Sequence, residues 1–209
     1  MKRNIFIRVV AAIVLGVFSI GTWITSGKLD VGWLRFFSAG VLVATALLAA
    51  WDLWLWRLPP IQRIPGVPRS VRGTWKGTLT SFWQDPATDK RIDPKSAYLV
   101  VRQTSTLVSV KLLTDESKSS SSLAAVSVPD GTAVLDYLYL NRPKAGVEHK
   151  SRMHHGSTVL DIVGSPARRL DGRYWTDRDR RGELSFTERS KKIADDYVDA
   201  VDLFDGGGA

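Results

Sequence analysis

The chain has 209 residues, a formal net charge of +8 and no cysteine, which excludes disulfides, thiolate metal sites and cysteine catalysis. Residues 1–58 hold six Lys or Arg and two Asp or Glu, whereas residues 59–209 hold the other 23 and 19. The composition therefore predicts a membrane segment followed by a soluble domain, and it argues against a single mixed globule.

Two apolar stretches open the chain, and they predict helices over residues 5–25 and 34–56. A helix needs roughly 20 apolar residues to cross a bilayer. The short connection around Gly27 makes residues 1–58 a two-transmembrane helical hairpin. A cleaved signal peptide is the alternative for the first stretch, but no A-x-A-like site follows it and a second apolar segment comes soon after.

Positive charge brackets this hairpin and is sparse in its turn, which carries only Lys28. An excess of Lys and Arg marks the cytoplasmic side, so we expect a multi-pass membrane protein with both termini and the barrel in the cytoplasm. Small residues such as Gly16 and Gly40 permit close helix approach, either within one hairpin or between chains. The flanking basic residues are Lys2, Arg3 and Arg8 before the hairpin, and Arg57, Arg63, Arg69 and Arg72 after it.

Residues 59–70 form a proline-rich linker, after which the apolar residues recur with the period of two that is typical of strands. No helical stretch of ten or more residues interrupts residues 71–190, and several connections are short. We therefore predict an eight-stranded antiparallel up-and-down β-barrel, similar to lipocalins and fatty-acid-binding proteins and able to hold one small ligand. The predicted strands are 72–83, 96–104, 106–114, 118–127, 132–141, 154–163, 169–177 and 182–189.

The last segment, residues 191–209, contains five Asp and ends in Gly-Gly-Gly-Ala. It predicts an acidic flexible tail. A short amphipathic turn is the alternative, with its apolar side formed by Ile193, Tyr197, Val201 and Phe204.

Alternation of side chains along each strand predicts a barrel whose two ends differ. Apolar inward residues, including Trp75, Leu135 and Phe186, gather at the end nearer the helices, and polar ones gather at the other end. Such a mouth suits an anionic ligand with flat rings; the alternative is an ordinary solvated rim. The residues expected at the mouth are Trp83, Ser119, Ser121, Tyr139, Asn141, His154, His155, Thr176 and Arg178, with Arg142, Lys144, Lys150, Arg152, Arg180 and Arg181 on its loops.

No motif in the chain points to catalysis. The nucleophile elbow, the Walker A loop, the H-E-x-x-H pair and the dinucleotide fingerprint are all missing, so we expect neither an enzyme nor a cofactor. His149, His154 and His155 lie close in sequence, but neighbours on a strand point to opposite faces, so no metal site is expected. The serine-rich stretch 117–122 is either a linker or a polar strand that lines a pocket.

The chain resembles the two-transmembrane β-barrel effectors of bacterial CBASS anti-phage systems, the CD-NTase-associated protein 15 family. The resemblance covers nearly the whole length and includes the order of two helices, proline-rich connector and barrel. The segments that carry it are Gly73-Thr74-Trp75-Lys76-Gly77, Arg102-Gln103-Thr104, Ser119–Ser122, Asp136-Tyr137-Leu138-Tyr139-Leu140-Asn141, His155-Gly156-Ser157-Thr158 and Leu170-Asp171-Gly172-Arg173-Tyr174-Trp175-Thr176-Asp177-Arg178.

The resemblance implies that a functionally linked nucleotidyltransferase makes a cyclic dinucleotide, that the barrel binds it, and that the hairpins then form a homo-oligomer. Contact of this assembly with inner-membrane lipid would disrupt the membrane and cause abortive infection; no DNA or RNA partner is implied. The alternatives are a membrane-tethered lipocalin-like carrier of an apolar ligand and a non-catalytic protein-recruiting module. From their inward positions at the mouth we nominate as ligand-binding residues Ser81, Ser119, Ser121, Tyr137, Tyr139, Thr176 and Arg178, with His155 as a weaker candidate.

Overall fold

A computed structural model describes residues 3–24, 33–84, 89–148 and 151–206. The chain divides into two compact units, residues 1–67 and 68–209. The predicted turn around Gly27, together with His149 and Lys150, lies outside the described residues.

The first unit consists of two long apolar helices that pack on each other: α1, Arg3–Ile24, and α2, Trp33–Leu53. Among the described residues, one helical stretch, Ser38–Arg57, is long and apolar enough to span a bilayer, with a mean hydropathy of 1.6. The apolar part of α1, Val9–Ile24, is shorter. Large side chains such as Leu15 and Leu42 are exposed, a surface that water-soluble proteins seldom present and that suggests membrane association.

The second unit is a closed barrel of eight antiparallel strands, each paired with the next in sequence and the last paired with the first. The predicted hairpin-plus-barrel architecture is therefore confirmed. The strands are β1 Gly73–Ser81, β2 Lys95–Gln103, β3 Val108–Leu113, β4 Ser117–Ser127, β5 Val134–Pro143, β6 His154–Val163, β7 Arg169–Thr176 and β8 Arg181–Ser190.

Inward-facing apolar residues fill one half of the barrel, which we call the apolar end. Trp75, Leu135 and Phe186 are fully buried there. The indole nitrogen of Trp75 donates to the Val71 carbonyl at 2.8 Å, and the Gln103 amide accepts from the Val71 N–H at 2.8 Å. These bonds pair buried polar groups of the chain that leads into β1.

The segment after β8 forms a third helix, α3, Tyr197–Asp205, whose first turn is capped by the Asp196 side chain bonded to the Asp199 N–H. Apolar residues of α3 pack against Tyr98, Val100 and Leu113, forming a second small core on the outer face of the barrel. The prediction of a flexible tail is therefore wrong for residues 191–206, and the amphipathic alternative describes this segment better. The acidic composition suggested flexibility, but Tyr197 and Phe204 cover apolar positions on β2.

Candidate ligand-binding site

A cavity of about 160 Å³ opens at the end of the barrel opposite the apolar end, which we call the mouth. Its walls are the ends of several strands together with the loops that connect them. Leucines form part of the lining, and hydroxyl, amide and charged groups form the rest. The residues that surround it are Leu79, Ser81, Ile92, Lys95, Leu112, Thr114, Glu116, Ser117, Ser119, Tyr139, Asn141, Ser151, His154, Thr158, Tyr174, Thr176, Arg178, Arg180 and Leu184.

Five of the eight nominated residues line this cavity. They come from four strands and one turn, so only closure of the barrel brings them together. They are Ser81, Ser119, Tyr139, Thr176 and Arg178.

The other three nominated residues lie elsewhere. Tyr137 faces inward but is buried deeper, in the core beneath Tyr139, with ring centroids 5.9 Å apart. Ser121 lies beside a register shift in β4, where its hydroxyl accepts a hydrogen bond from the Val110 N–H at 2.9 Å. This bond replaces one backbone hydrogen bond between β3 and β4, so the Ser121 hydroxyl stabilises the sheet at this point.

His155 is exposed on the outer face, and its placement at the cavity is wrong. Its neighbour His154 lines the cavity instead. Strand alternation from the buried Thr158 already places position 154 inward and position 155 outward. The sequence therefore contained the information needed for this correction.

Arg178 is held at the cavity rim by hydrogen bonds. One guanidinium nitrogen donates to the Ser151 hydroxyl at 3.1 Å and lies 2.7 Å from His154 Nδ1. The same Nδ1 lies 3.0 Å from the Arg152 carbonyl, so it accepts from Arg178 in one ring tautomer and donates to that carbonyl in the other. The Arg178 Nε–H is buried and has no hydrogen-bond partner among the residues that the structure describes. One donor of this cation is thus left for another acceptor.

Burial and neighbouring charge shift the titration of these two groups. Desolvation lowers the pKa of Arg178, and the adjacent Arg180 lowers it further. Desolvation also lowers the pKa of His154 below its usual 6.5, with Arg178 and Arg180 acting in the same direction. Asp177 offsets part of this positive charge, and a bound anion would relieve more of the repulsion between the cations.

Arg180 shares the β7–β8 turn with Arg178. Its guanidinium carbon lies 4.6 Å from the centroid of the Trp83 ring, a cation–π contact that orients the side chain over the mouth. The Thr176 hydroxyl accepts from the N–H groups of Arg178 and Arg180 at 3.3 and 3.2 Å. The turn therefore presents two arginines in fixed positions on one side of the cavity.

Two tyrosines form another part of the lining, and glycines on neighbouring strands make room for them. A Cβ atom on Gly156 would come within 2.4 Å of the Tyr139 ring, and one on Gly182 within 2.6 Å of the Tyr174 ring. Burial raises the pKa of both tyrosines. Both therefore stay neutral at physiological pH and offer ring faces and a hydroxyl donor to a ligand.

The lining also contains a buried hydroxyl group. Thr158 Oγ1 and the Tyr137 hydroxyl beneath the cavity are both buried, and among the described residues neither makes a hydrogen bond of ordinary geometry. Burial raises the pKa of Tyr137, and the interaction of its hydroxyl with that of Thr158 partly offsets this effect. An unpaired buried hydroxyl costs about 1–3 kcal/mol, and a polar ligand group can recover part of that free energy at Thr158.

The wall opposite the arginines carries a salt bridge between Lys95 Nζ and Glu116 Oε2 at 2.5 Å. Beside it, the Ser119 hydroxyl donates to Asn141 Oδ1 at 2.8 Å. Sequence reasoning did not nominate Lys95, Glu116 or Ser151. Strand alternation, carried back two steps from Leu99, would have found Lys95, whereas the turn residues Glu116 and Ser151 follow no strand period.

In the part of the chain that the structure describes, no three His, Asp or Glu side chains come together as a metal site. His154 Nδ1 lies within hydrogen-bond distance of both Arg178 and the Arg152 carbonyl, so this nitrogen is already engaged by protein groups.

Comparison with known proteins gives two findings. A model of the family described as "Cap15, cyclic dinucleotide receptor domain" matches residues 67–188. The CD-NTase-associated protein 15 of Staphylococcus schleiferi is 30% identical over 166 residues, which is 78% of this chain and 82% of that protein. The region matched by the family model contains the first seven strands, all but the last two residues of β8, and every residue of the cavity. This chain belongs to the Cap15 family, the CD-NTase-associated proteins 15.

Proposed function

We propose that the mouth of the barrel binds a cyclic dinucleotide and that binding converts this membrane-anchored protein into an active effector of a CBASS anti-phage system. The observation that carries the proposal is the pair of arginines at the cavity rim. Arg178 is fixed by Ser151 and His154 yet keeps one buried donor unpaired. A phosphodiester is a singly charged acceptor that pairs well with such a guanidinium.

The size of the cavity limits how such a ligand fits. At about 160 Å³ it is smaller than the roughly 300–1,000 Å³ of most ligand pockets. It accommodates one base or sugar of a cyclic dinucleotide, with Thr158 within the lining and the Tyr139 and Tyr174 rings beside it. The rest of the ligand then lies across the mouth, where its phosphates meet Arg178 and Arg180.

In the proposed mechanism the ligand acts through a change of assembly state. A functionally linked nucleotidyltransferase supplies the cyclic dinucleotide, the hairpins form a homo-oligomer, and the assembly disrupts the inner membrane and causes abortive infection. The ligand drives this step only if it binds the assembled state more tightly than the resting state. A preference of about 5.5 kcal/mol is enough to move a population from 1% to 99% assembled.

The binding step is tested with the full-length protein in detergent, titrated calorimetrically with cyclic dinucleotides and, separately, with a fatty acid. Arg178→Ala should weaken cyclic dinucleotide binding by about 10- to 150-fold, because hydrogen bonds to charged groups contribute about 1.5–3 kcal/mol. Arg173→Ala is the matched control, since Arg173 lies exposed on the outer face of β7. If the protein bound the fatty acid equally well with and without Arg178→Ala, and bound no cyclic dinucleotide, it would be a lipid carrier instead.

The assembly step is tested through the small residues of the hairpin. A Cβ atom on Gly16 would meet nothing within 4 Å in the described part of the chain, whereas one on Gly40 would touch Val17 of the packed hairpin at 3.4 Å. Gly16→Leu should therefore leave the single hairpin intact and reduce toxicity in cells by blocking association between chains, while ligand binding persists. Undiminished toxicity would contradict a close-packed interface at Gly16.

A protein-recruiting module is the remaining alternative, and it assigns the activity to the outer face of the barrel. It predicts that Tyr139→Ala leaves toxicity intact whenever the barrel folds. Our proposal predicts that this variant loses both ligand binding and toxicity.

A further inference from the structure

The mouth has two chemically different sides, with arginines on one and a carboxylate paired to a lysine on the other. In a closed ring of eight strands, the β3–β4 and β7–β8 connections lie four strands apart and therefore face each other across the opening. Of the β7–β8 turn, Arg178 and Arg180 line the cavity while Asp177 and Asp179 do not, whereas the β3–β4 turn contributes Glu116 to the lining. A carboxylate is a poor neighbour for a phosphodiester, so it calls for a different part of the ligand.

Glu116 is held in place by its turn. The Thr114 N–H donates to the Ser117 carbonyl at 2.9 Å, and the Ser117 N–H donates to the Thr114 hydroxyl at 3.0 Å. The Glu116 carbonyl accepts from the Lys144 N–H at 2.8 Å. With its backbone fixed on three sides, the turn projects the Glu116 side chain over the cavity.

The partner of Glu116 leaves part of the carboxylate available. Lys95 bonds only to Oε2, and the Glu116 side chain keeps 42% of its exposure. An ionised carboxylate accepts at two oxygens and about four lone-pair sites. The wall therefore offers two adjacent acceptors, with the Lys95 ammonium beside them as a donor.

We propose that Glu116 reads a base of the ligand and that this base is guanine. Among the four common bases, only guanine presents two neighbouring donors, N1–H and N2–H₂, on one edge, and a carboxyl group matches them with its two oxygens. The acceptor O6 lies next to these donors on the same edge, and the Lys95 ammonium would donate to it. The inference rests on the proposed function and names a specificity-determining residue within it.

The test is a binding panel on the full-length protein in detergent: cyclic di-GMP, cyclic GMP–AMP in its linkage isomers, cyclic di-IMP, cyclic di-AMP and cyclic di-UMP. The wild-type protein should bind a guanine-containing member at least about tenfold more tightly than the guanine-free ones, as expected for a two-point base contact. Replacing guanine by hypoxanthine, which lacks only the N2 amino group, should lose much of that preference.

Glu116→Gln keeps the shape of the side chain but replaces one acceptor by a donor. It should weaken guanine-containing ligands about tenfold and leave cyclic di-AMP and cyclic di-UMP within about threefold of wild type. Glu183→Gln on the outer face of β8 is the matched control and should change nothing. Lys95→Met tests a purely structural role: if Glu116 served only to hold Lys95, both variants would weaken every ligand alike.

The outcomes separate this inference from the proposed function. Equal weakening of all ligands by Glu116→Gln, or tightest wild-type binding of a guanine-free ligand, overturns base reading by Glu116 while cyclic dinucleotide binding stands. Failure of the whole panel to bind the wild-type protein overturns the proposed function, and the inference falls with it.

Discussion

The two ends of the barrel interior are built on the same eight strands and the same alternation of side chains, yet they differ in almost every physical respect. At the apolar end, Trp75, Leu160 and Phe186 are fully buried. At the mouth, hydroxyl and charged groups surround a cavity, and in the described part of the chain the buried Thr158 Oγ1 and Arg178 Nε make no hydrogen bond of ordinary geometry.

The comparison teaches how the protein separates stability from binding. Each large side chain buried at the apolar end contributes about 1.5–3 kcal/mol, whereas each unpaired polar group costs about 1–3 kcal/mol. The mouth can hold groups that destabilise the unliganded barrel because the apolar end offsets them. Substitutions at the two ends should therefore affect different measurements, and four predictions test this separation.

The largest effect is expected at the apolar end. Phe186→Ala should lower the free energy of unfolding by about 3–5 kcal/mol, since it opens a cavity among fully buried side chains. Chemical denaturation of the full-length protein in detergent measures this loss. The control is Trp175→Ala, because Trp175 is about half exposed on the outer face; comparable losses from both variants would contradict the assignment of the core.

A smaller effect is expected at Gly156, which lies against the Tyr139 ring in the lining of the mouth. Gly156→Ala should lower the free energy of unfolding by about 1–3 kcal/mol, because the added Cβ overpacks against Tyr139 and the Trp175 carbonyl. It should also weaken ligand binding by displacing the Tyr139 ring. Gly146→Ala is the matched control, since its Cβ would meet nothing within 4 Å among the described residues; an unchanged Gly156→Ala protein would show that the ring has other room.

Within the cavity, a substitution should lower ligand affinity without lowering the free energy of unfolding. Thr158→Val removes a buried hydroxyl that makes no hydrogen bond of ordinary geometry among the described residues, so the free energy of unfolding should stay within about 1 kcal/mol of wild type or rise. Ligand affinity should fall by about two- to tenfold, measured by titration calorimetry. The exposed Thr78→Val serves as the control, and a stability loss without an affinity loss would move Thr158 from the binding surface to the structural core.

The smallest effect concerns pH. Because the pKa of His154 is lowered below 6.5 in the folded protein, the unfolded chain binds more protons once the pH falls below about 6.5, and stability declines there. The thermal midpoint should therefore be slightly lower at about pH 5.5 than at about pH 7.5. His154→Gln should reduce this difference and the exposed His155→Gln should not; the reverse pattern would remove His154 from the Arg178 cluster.

Much of the fold could be predicted from the sequence because its determinants are local. Alternating residues such as Leu135, Tyr137 and Tyr139 define an inward face without reference to any other strand, and all three are buried. The same rule placed Ser119 and Thr176 at the cavity. It would also have placed Lys95 and His154 there, had the alternation been followed to the ends of their strands.

The sequence by itself determined the hairpin, the eight strands and their inward faces, since hydrophobic length and strand period are properties of neighbouring residues. Only the tertiary structure decided that Glu116 faces Arg178 across the mouth, because that meeting depends on closure of a ring in which their turns lie four strands apart. The tertiary structure also decided how α3 packs. Its apolar side is covered because β2 and β3 present Tyr98 and Leu113 on the outer face of the barrel. Turn residues and outer faces have no period to reveal their partners, and those partners come from distant parts of the chain.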